Sequence, residues 1–308
     1  MSIAILFNQK DPLVWMNQLK EKLPEEKIEI YPAIENKDEV EFLLTWKPHP
    51  GYVNEFKNLK VVQSVGAGID HLLHTSIPES IKVTRIVDPA LKQDMFEHVL
   101  MCIMASMKNT MLYYNDQLNR SWLPKSYQSI HSTTITILGM GEIGKFVAVQ
   151  LKNLGFQVQG WSNSPKKIDD ILTFAGRDAF FDSVRTGDFI VNILPLTEET
   201  KELLSHTLFQ QMANQPVLIN VGRGGHMKDE DLVTALDNGF LKAAYLDVFH
   251  QEPLEVDHPF WTHPNIYITP HIASITNPDT AIDLVIENYK RFKSNNKLQH
   301  VVDLKRGY

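Results

Sequence analysis

A glycine-rich turn between two apolar strands constrains the fold of this chain more than any other feature. The stretch TTITILGMGEIGKFVAVQLKNLGFQVQGW (133–161) contains Gly139-x-Gly141-x-x-Gly144. A β-branched run precedes the glycines, and an amphipathic helix and a second strand follow them, which makes a βαβ unit. In such a unit the three glycines permit, in order, a tight turn, backbone approach to a pyrophosphate and close helix–strand packing. The helix N-terminus then offers unpaired N–H groups to the phosphates.

Strand-like runs alternate with helical segments on both sides of this unit, which predicts parallel α/β sheets. The strand-like runs are residues 2–7, 27–31, 41–46, 59–66, 188–194, 216–222, 241–249 and 265–270. We therefore expect an α/β fold with two doubly wound parallel-sheet domains, a Rossmann dinucleotide-binding domain and a flavodoxin-like substrate domain.

The predicted helices set the domain boundaries. A long helix over 92–114, apolar on nearly every face, is expected to be deeply buried. The last helix, over 279–294, is expected to return to the first zone and make that domain discontinuous. The predicted domains are thus 1–92 plus 276–308, which binds substrate, and 93–275, which binds the dinucleotide.

Composition excludes several classes of partner. The 308 residues carry a net charge of -7, from 37 acidic and 30 basic side chains, and neither sign forms a long block, so no nucleic-acid partner is expected. No apolar stretch approaches the ~20 residues that span a bilayer, and the N-terminus is unlike a signal peptide, so we expect a cytoplasmic protein without a membrane partner. The single cysteine, Cys102, lies in an apolar run and is interpreted as a buried structural thiol.

Three later stretches place chemically useful side chains just beyond predicted strands. LINVGRGGHMKDEDL (218–232) contains Arg223, AAYLDVFHQEPL (243–254) contains Asp247 and Glu252, and YITPHIAS (267–274) contains His271. Ligands of open α/β sheets bind outside the carboxyl ends of the strands, so these side chains are expected at one site. Singly, they could be a surface arginine, strand-end or turn caps and a turn histidine.

The glycine loop, VGRGG, LDVFxxEPL and TPHIA occur in an order and at a spacing that resemble the D-isomer-specific 2-hydroxyacid dehydrogenase family. The chain is most similar to the branch that reduces glyoxylate and hydroxypyruvate, through TWKP (45–48), VGAGIDHLL (65–73) and RGY (306–308). The resemblance covers nearly the whole chain. It implies NAD(P)H-dependent reduction of a small 2-oxo acid, glyoxylate or hydroxypyruvate, and a homodimer in which the segment 119–129, with Trp122, reaches across.

Two alternatives share this fold. A dinucleotide-sensing, corepressor-like binding protein is the main one, because fold alone does not fix function. The presence of Arg223, Glu252 and His271 together favours catalysis. In the formate-oxidising branch a glutamine replaces the glutamate beside the histidine, so Glu252 argues against that second alternative.

The residue types suit the implied reduction. Arg223 offers a planar fork of donors that can hold carboxylate and carbonyl oxygens together. His271 would give a proton to the oxygen on which negative charge builds. Glu252 would favour the imidazolium form of that histidine, because it supplies a nearby opposite charge.

The expected cofactor-binding residues lie in the glycine loop and in four later stretches. They are Gly139, Gly141, Glu142, Ile143, Gly144, Ser162, Asn163, Ser164, Lys166, Leu194, Pro195, Val221 and Asp247. By resemblance, Asp247 lies near the nicotinamide end of the cofactor; a strand-end cap is the alternative.

Cofactor choice depends on the turn after the second strand of the βαβ unit. An acid about 20 positions after the glycine loop normally binds the ribose 2′-OH of NAD. Here residues 160–168 contain no acid, and Lys166 or Lys167 could supply positive charge. We expect NADP to be preferred and NAD to be possible, although the similar branch carries arginine at Asn163. A solvated polar turn without cofactor preference is the alternative.

The substrate-binding candidates in the first zone are Trp46, Lys47, Gly66, Ala67 and Gly68, together with Arg223 from the second zone. Backbone N–H groups of the three residues 66–68 could bind a carboxylate, but a simple tight turn is the alternative. Trp46 could equally be a core or interface residue. No metal is expected, because no cluster has ligand spacing. Five other histidines are interpreted as surface residues: His131, His226, His250, His258 and His263.

Overall fold

Short apolar runs that alternate with amphipathic helices produce two separate parallel sheets. The computed structural model describes residues 2–8, 10–72 and 76–304, so the RGY stretch and Leu73 lie outside the described residues. The chain divides into unit 1, residues 1–91 with 275–308, and unit 2, residues 92–274. Each predicted domain boundary falls one residue later than this division.

Unit 1 is built on a five-stranded parallel sheet in the order β2-β1-β3-β4-β5. Its elements are β1 (Ser2–Phe7), α1 (Leu13–Lys22), β2 (Lys27–Ile30), β3 (Val40–Trp46), β4 (Val61–Ser64), β5 (Lys82–Thr84) and α8 (Pro278–Lys293). Alternate residues of β1 enter different cores: Ile3 and Ile5 pack with α1 and α8, whereas Ala4 and Leu6 pack on the other face. The sheet is therefore covered on both faces.

A buried polar cluster attaches the C-terminal segment to the sheet of unit 1. Gln63 Oε1 on β4 accepts hydrogen bonds from Thr84 Oγ1 (2.6 Å) and from Asn288 Nδ2 of α8 (2.9 Å). The Gln299 amide donates to Asn288 Oδ1 at 2.8 Å, and the Val302 amide donates to the Val83 carbonyl at 2.9 Å. These bonds satisfy groups that would be costly to bury unpaired, and they explain why this unit is discontinuous in sequence.

Unit 2 contains a seven-stranded parallel sheet in the order β12-β11-β10-β9-β6-β7-β8. Its elements are α2 (Pro89–Met107, which contains the unit boundary), α3 (Thr110–Leu118), β6 (Thr134–Leu138), α4 (Glu142–Asn153), β7 (Gln157–Ser162), β8 (Leu172–Ala175), α5 (Phe180–Val184), β9 (Phe189–Asn192), α6 (His206–Phe209), β10 (Val217–Asn220), α7 (Asp229–Asp237), β11 (Ala243–Leu246) and β12 (Ile266–Ile268). Side chains of β9 alternate between two cores, with Phe189 and Val191 against α2 and α4 and Ile190 against α5 to α7.

The strand order of unit 2 reverses between β6 and β9. Strands β7 and β8 continue the sheet on one side of β6, and β9 to β12 continue it on the other. At such a switch point, a crevice forms outside the carboxyl ends of the two central strands. The glycine loop follows β6 and the Leu194–Pro195 turn follows β9, so both turns lie at this crevice.

The helix predicted over 92–114 is two helices in the structure. Asn109, at φ 56°, ends the first of them, and asparagine is among the few non-glycine residues that tolerate this left-handed conformation. The expected deep burial is wrong for α3, none of whose residues is buried. The short strands β5 and β8 were not predicted, because three or four residues of mixed exposure carry little periodic signal.

Among residues 2–8, 10–72 and 76–304, no helix combines the length and the apolar character needed to cross a membrane.

Gly144 tests the packing of α4 on β6. A Cβ atom at this position would overlap the Gly139 carbonyl oxygen, whereas a Cβ at Gly141 would meet no heavy atom of the described residues within 4 Å. We expect Gly144→Ala to lower the free energy of unfolding of unit 2 by about 1–3 kcal/mol. Gly141→Ala is the matched control and should change it by less than about 0.5 kcal/mol. Urea titration of the ligand-free protein measures both values, and equal stabilities would contradict the packing argument.

Candidate active site

The side chains predicted to carry chemistry follow three neighbouring strands of unit 2. Arg223 comes after β10, Asp247 and Glu252 after β11, and His271 after β12. These strands are adjacent and parallel, so their carboxyl ends lie at one edge of the sheet.

His271 and Glu252 form a direct pair at this edge. Nδ1 of His271 lies 2.7 Å from Oε2 of Glu252, and the side chains are 36% and 22% exposed. The other carboxylate oxygen, Oε1, accepts a hydrogen bond from the Phe249 amide at 3.2 Å, which fixes the carboxylate. Because Nδ1 faces the carboxylate, Nε2 is the ring nitrogen that could face a ligand.

The Asp247 carboxylate holds the turn that carries His271. It is 1% exposed and accepts hydrogen bonds from Thr269 Oγ1 (2.6 Å), the Ile272 amide (2.9 Å) and the Ala273 amide (2.8 Å). His271 itself has a positive φ of 55°, a conformation that needs such support in a residue with a Cβ. The geometry favours the interpretation of Asp247 as a strand-end cap that orients the histidine.

Arg223 lies in a tight turn that approaches the loop of Glu252. Its Nη1 donates to the Gly222 carbonyl at 2.7 Å. A Cβ atom at Gly224 would overlap the backbone of Phe249 and His250. The absence of a side chain at Gly224 thus allows the arginine turn and the Glu252 loop to pack against each other.

The glycine loop has the geometry of a phosphate-binding turn. Gly139 has φ 108° and packs against the backbone of Ile193 and Leu194, while Gly141 is the N-cap of the twelve-residue helix α4. Space beside Gly141 is open among the described residues, as a closely approaching pyrophosphate requires. Glu142 forms an ion pair with Lys92 at 2.8 Å, and Ile143 packs partly against the core of α2 and α4. The residues present fit a dinucleotide.

A carboxylate from a distant segment of the chain lies beside the turn after β7. Ser162 is nearly buried and donates its hydroxyl to the Ser164 carbonyl at 2.8 Å, so this hydroxyl is engaged within the turn. Asn163 Nδ2 donates to Glu199 Oε2 at 3.2 Å. Glu199 is distant in sequence, so the absence of an acid from residues 160–168 does not exclude a carboxylate beside this turn. Lys166 is exposed, and its carbonyl accepts from Thr173 Oγ1 at 2.6 Å.

A buried polar network joins the ends of β9 and β10. His226, expected at the surface, is 0% exposed and contacts the Leu194–Pro195 turn and the Arg223 amide. Asn192 and Asn220 complete this network, while Val221 is buried beside it and donates its amide to the Asn192 carbonyl at 3.1 Å. Sequence reasoning missed all three polar residues. Asn192 and Asn220 could have been found by their position at the ends of two otherwise apolar strands, whereas His226, six residues beyond the second strand, gave no such signal.

Of the other four histidines expected at the surface, two are exposed and two are half-buried: His131 and His250 are exposed, and His258 and His263 are half-buried. His131 is exposed, as expected. His258 Nε2 lies 3.2 Å and His250 Nε2 3.9 Å from the Asp229 carboxylate at the start of α7. His263 pairs with Asp237 at 3.4 Å. In the described part of the chain, no group of three or more His, Cys, Asp or Glu side chains is arranged to hold a metal ion.

Burial decides the state of two further titratable groups near this edge. Burial raises the pKa of the Cys102 thiol to about 12, so the thiol stays protonated and unreactive near neutral pH. Burial also lowers the pKa of His98, and the Asp247 carboxylate opposes this shift.

Two of the first-zone candidates, Trp46 and Gly66, are in contact within unit 1. A Cβ atom at Gly66 would overlap the ring of Trp46, whose centroid lies 4.5 Å from that of His71 and 4.8 Å from Lys10 Nζ. Lys47 has φ 44°, and its carbonyl accepts from Asn8 Nδ2 at 2.9 Å. The Gly66 amide donates to Ser64 Oγ at 3.2 Å, which leaves the amides of Ala67 and Gly68 as the candidates for a carboxylate.

Comparison with known proteins agrees with this arrangement. Residues 100–273 match the family described as D-isomer specific 2-hydroxyacid dehydrogenase, NAD binding domain. A glyoxylate/hydroxypyruvate reductase A of Serratia proteamaculans is 36% identical over 303 residues, which cover 96% of each chain. The chain belongs to the D-isomer specific 2-hydroxyacid dehydrogenase family.

Solved structures of similar proteins place this 2-hydroxyacid dehydrogenase among nicotinamide-dependent relatives. One is a D-isomer specific 2-hydroxyacid dehydrogenase of Xanthobacter autotrophicus Py2 in complex with NADPH and MES, with TM-score 0.94, 31% identity and coverage of 100% of this chain and 99% of that one. Another is an NADPH-dependent glyoxylate/hydroxypyruvate reductase of Sinorhizobium meliloti in complex with NADP and sulfate, with TM-score 0.93, 32% identity and full coverage of both chains.

Proposed function

We propose that this 2-hydroxyacid dehydrogenase reduces a small 2-oxo acid, glyoxylate or hydroxypyruvate, to the 2-hydroxy acid. The observation that carries the proposal is the His271–Glu252 pair at 2.7 Å, at the same strand edge as Arg223 and in the unit that holds the glycine loop. A histidine paired with a carboxylate suits proton transfer, which favours catalysis over binding alone. The similarity to reductases of glyoxylate and hydroxypyruvate also supports catalysis over the sensing alternative.

The proposed mechanism assigns one task to each side chain. The Arg223 guanidinium binds the carboxylate and carbonyl oxygens of the 2-oxo acid and so orients the carbonyl carbon. A bound reduced nicotinamide would supply the hydride to that carbon. His271 donates the proton at Nε2 to the carbonyl oxygen as negative charge develops there, and Glu252 stabilises the imidazolium before transfer. Asp247 keeps the His271 turn in place throughout.

The binding residues are also part of the proposal. We place the pyrophosphate at the N-terminus of α4, beside Gly141, and the adenosine ribose at the turn after β7. The Leu194–Pro195 turn and Val221 line the dinucleotide. Trp46, Lys47 and the amides of Ala67 and Gly68 bind the substrate, and this assignment is supported by the resemblance to the reductase branch.

A substrate panel tests the proposed reaction. Loss of NADPH absorbance on addition of glyoxylate or hydroxypyruvate is the expected result for the unmodified protein. His271→Ala should lower kcat by roughly 10²–10⁴, because the proton donor is removed. Arg223→Lys should lower kcat/KM severely, because lysine lacks the planar fork of donors that holds two oxygens in a fixed geometry. Near-normal kcat/KM in either variant would show that its role is assigned wrongly. His131→Ala, an exposed histidine of the same unit, is the control.

Glu252→Gln tests the role of Glu252. The substitution keeps the shape of the side chain but removes the negative charge beside Nδ1 of His271. The proposed imidazolium then loses the stabilisation that the carboxylate provides, so kcat for reduction of the 2-oxo acid should fall. Steady-state kinetics measures this, and an unchanged kcat would refute the role of Glu252.

Cofactor choice is proposed to be NADPH, with NADH accepted more weakly. Similar structures carry NADPH or NADP, and β7 ends in Ser162 without an acid. We expect the preference to appear mainly in KM, because the ribose contacts lie far from the reacting carbon. Ser162→Asp should reverse it, whereas Ser162→Asn, similar in shape but uncharged, should not. Glu199→Gln should increase it, because a carboxylate that repels the 2′-phosphate is removed. Equal kcat/KM for both cofactors in the unmodified protein would contradict the proposal.

We further propose a cytoplasmic homodimer without a nucleic-acid or membrane partner. Large apolar side chains of α3 and the following segment are exposed: Leu118 (64%), Trp122 (93%), Leu123 (63%) and Tyr127 (68%). A second copy would cover such a patch. The net charge of -7 disfavours nucleic acid, and the single cysteine agrees with a reducing compartment. Light scattering should give twice the chain mass, and Trp122→Glu should shift it toward the monomer; a monomeric unmodified protein would exclude the dimer.

A further inference from the structure

His226 occupies the centre of the buried network between β9 and β10. It is 0% exposed. Its Nδ1 lies 3.1 Å from the Arg223 amide nitrogen and 2.9 Å from Asn192 Nδ2, and its Nε2 lies 3.1 Å from the Pro195 carbonyl oxygen. One imidazole therefore contacts the turn that carries the proposed substrate anchor and the turn that lines the proposed dinucleotide.

The partners of the ring fix its tautomer. Nδ1 faces two N–H donors, so it must be the unprotonated, accepting nitrogen. Nε2 faces a carbonyl oxygen, so it carries the proton and donates. A neutral imidazole with the proton on Nε2 satisfies all three partners, and neither the other tautomer nor the imidazolium does.

Two asparagines make this arrangement rigid. Asn192 Nδ2 donates to Asn220 Oδ1 at 2.9 Å as well as to His226, and Asn192 Oδ1 accepts from the Leu194 amide at 3.3 Å. Asn220 Oδ1 also accepts from the Gly222 amide at 3.2 Å, and its Nδ2 donates to the Arg223 carbonyl at 3.3 Å. Because Asn192, Asn220 and His226 are each 0% exposed, displacement of either turn would leave polar atoms of these side chains unpaired, which is costly in a low-dielectric interior.

We propose that His226 is a positioning residue that sets the geometry of the Arg223 turn and the Leu194–Pro195 turn together. The inference rests on the proposed function for the tasks of these two turns. Each ring nitrogen controls one turn: Nδ1 holds the arginine by its amide, and Nε2 holds the dinucleotide turn by the Pro195 carbonyl. Displacement of a reacting group by about 1 Å can lower a rate by about 10²-fold. The two hydrogen bonds of His226 can therefore affect catalysis although the histidine does not contact the substrate.

Two substitutions separate the hydrogen bond of His226 to Arg223 from its hydrogen bond to Pro195. In His226→Asn the amide oxygen can take the place of Nδ1 and accept from Arg223, but the side chain is too short to reach Pro195. In His226→Gln the amide nitrogen can take the place of Nε2 and donate to Pro195, but no acceptor remains for the Arg223 amide. Loss of one net hydrogen bond corresponds to about a fivefold to tenfold effect.

The measurements are the dissociation constant of NADPH, by quenching of protein fluorescence, and the KM and kcat for the 2-oxo acid that the unmodified protein reduces best. His226→Asn should weaken NADPH binding about fivefold to tenfold and leave the KM of the oxo acid within about twofold. His226→Gln should do the reverse, with kcat/KM for the oxo acid lowered at least tenfold and NADPH binding retained.

His263 provides matched controls. Its Nδ1 also accepts a backbone amide, that of Asn265 at 3.2 Å, and its Nε2 faces Asp237, but it lies before the amino end of β12. His263→Asn and His263→Gln should leave the NADPH dissociation constant and the kcat/KM of the oxo acid unchanged. A general loss of stability from histidine replacement would change both parameters together in all four variants.

Several outcomes would overturn the inference. One is that both His226 variants change NADPH binding and oxo-acid kinetics in parallel, and another is that neither changes them. If the variants do not fold, nitrogen NMR of the ¹⁵N-histidine-labelled unmodified protein decides the matter. One buried ring must show an unprotonated Nδ1 and a slowly exchanging Nε2–H. A protonated Nδ1 would contradict the proposed hydrogen bonds of His226. If the unmodified protein reduces no 2-oxo acid, the proposed function fails, while the NADPH and NMR measurements still test whether His226 positions the two turns.

Discussion

Close backbone contacts at three glycines hold the candidate site together. Gly139 packs against the backbone at Ile193, Gly144 against the Gly139 carbonyl, and Gly224 against Phe249 and His250. At Gly144 and Gly224 a Cβ atom would overlap its neighbour. These contacts bring helix α4 onto its strand, the glycine loop onto the turn after β9, and the arginine turn onto the Glu252 loop. The spacing of the proposed phosphate, carboxylate and proton-donor groups in unit 2 depends on them.

Polar atoms buried at the strand ends then fix what the backbone brings close. Asp247 accepts three hydrogen bonds from the His271 turn, and His226 with Asn192 and Asn220 satisfies the turns after β9 and β10. Buried polar groups are unfavourable unless they are paired, and a fully paired network permits only one arrangement. In this part of the protein, the turns are held by hydrogen bonds and not by apolar packing alone. Apolar packing tolerates small shifts, whereas these hydrogen bonds do not.

Much of the fold could be predicted from the sequence, because its signals are local. The glycine spacing, the β-branched run before it and the amphipathic helix after it predicted the βαβ unit, and β6, α4 and β7 have these positions. Parallel strands place their carboxyl ends at one edge, so the positions of Arg223, Glu252 and His271 after consecutive strands predicted that they share an edge. Short strands such as β8 and the break at Asn109 escaped prediction, since a few residues of mixed exposure, or one left-handed residue, give no periodic pattern.

The sequence by itself thus determined the fold class and the family, and it predicted the residues of the candidate site: an arginine, a glutamate and a histidine in the unit that contains a dinucleotide-type glycine loop. Only the tertiary structure decided which groups face each other. It placed Glu199 beside Asn163, buried His226 between two turns and aimed the Asp247 carboxylate at the His271 turn. Except for the contact of His226 with Arg223, these contacts join residues 22 to 36 positions apart in the chain. Propensity and periodicity act over a few neighbouring residues, whereas such contacts depend on strand order and on the close approach of loops, which exist only once the sheet has formed.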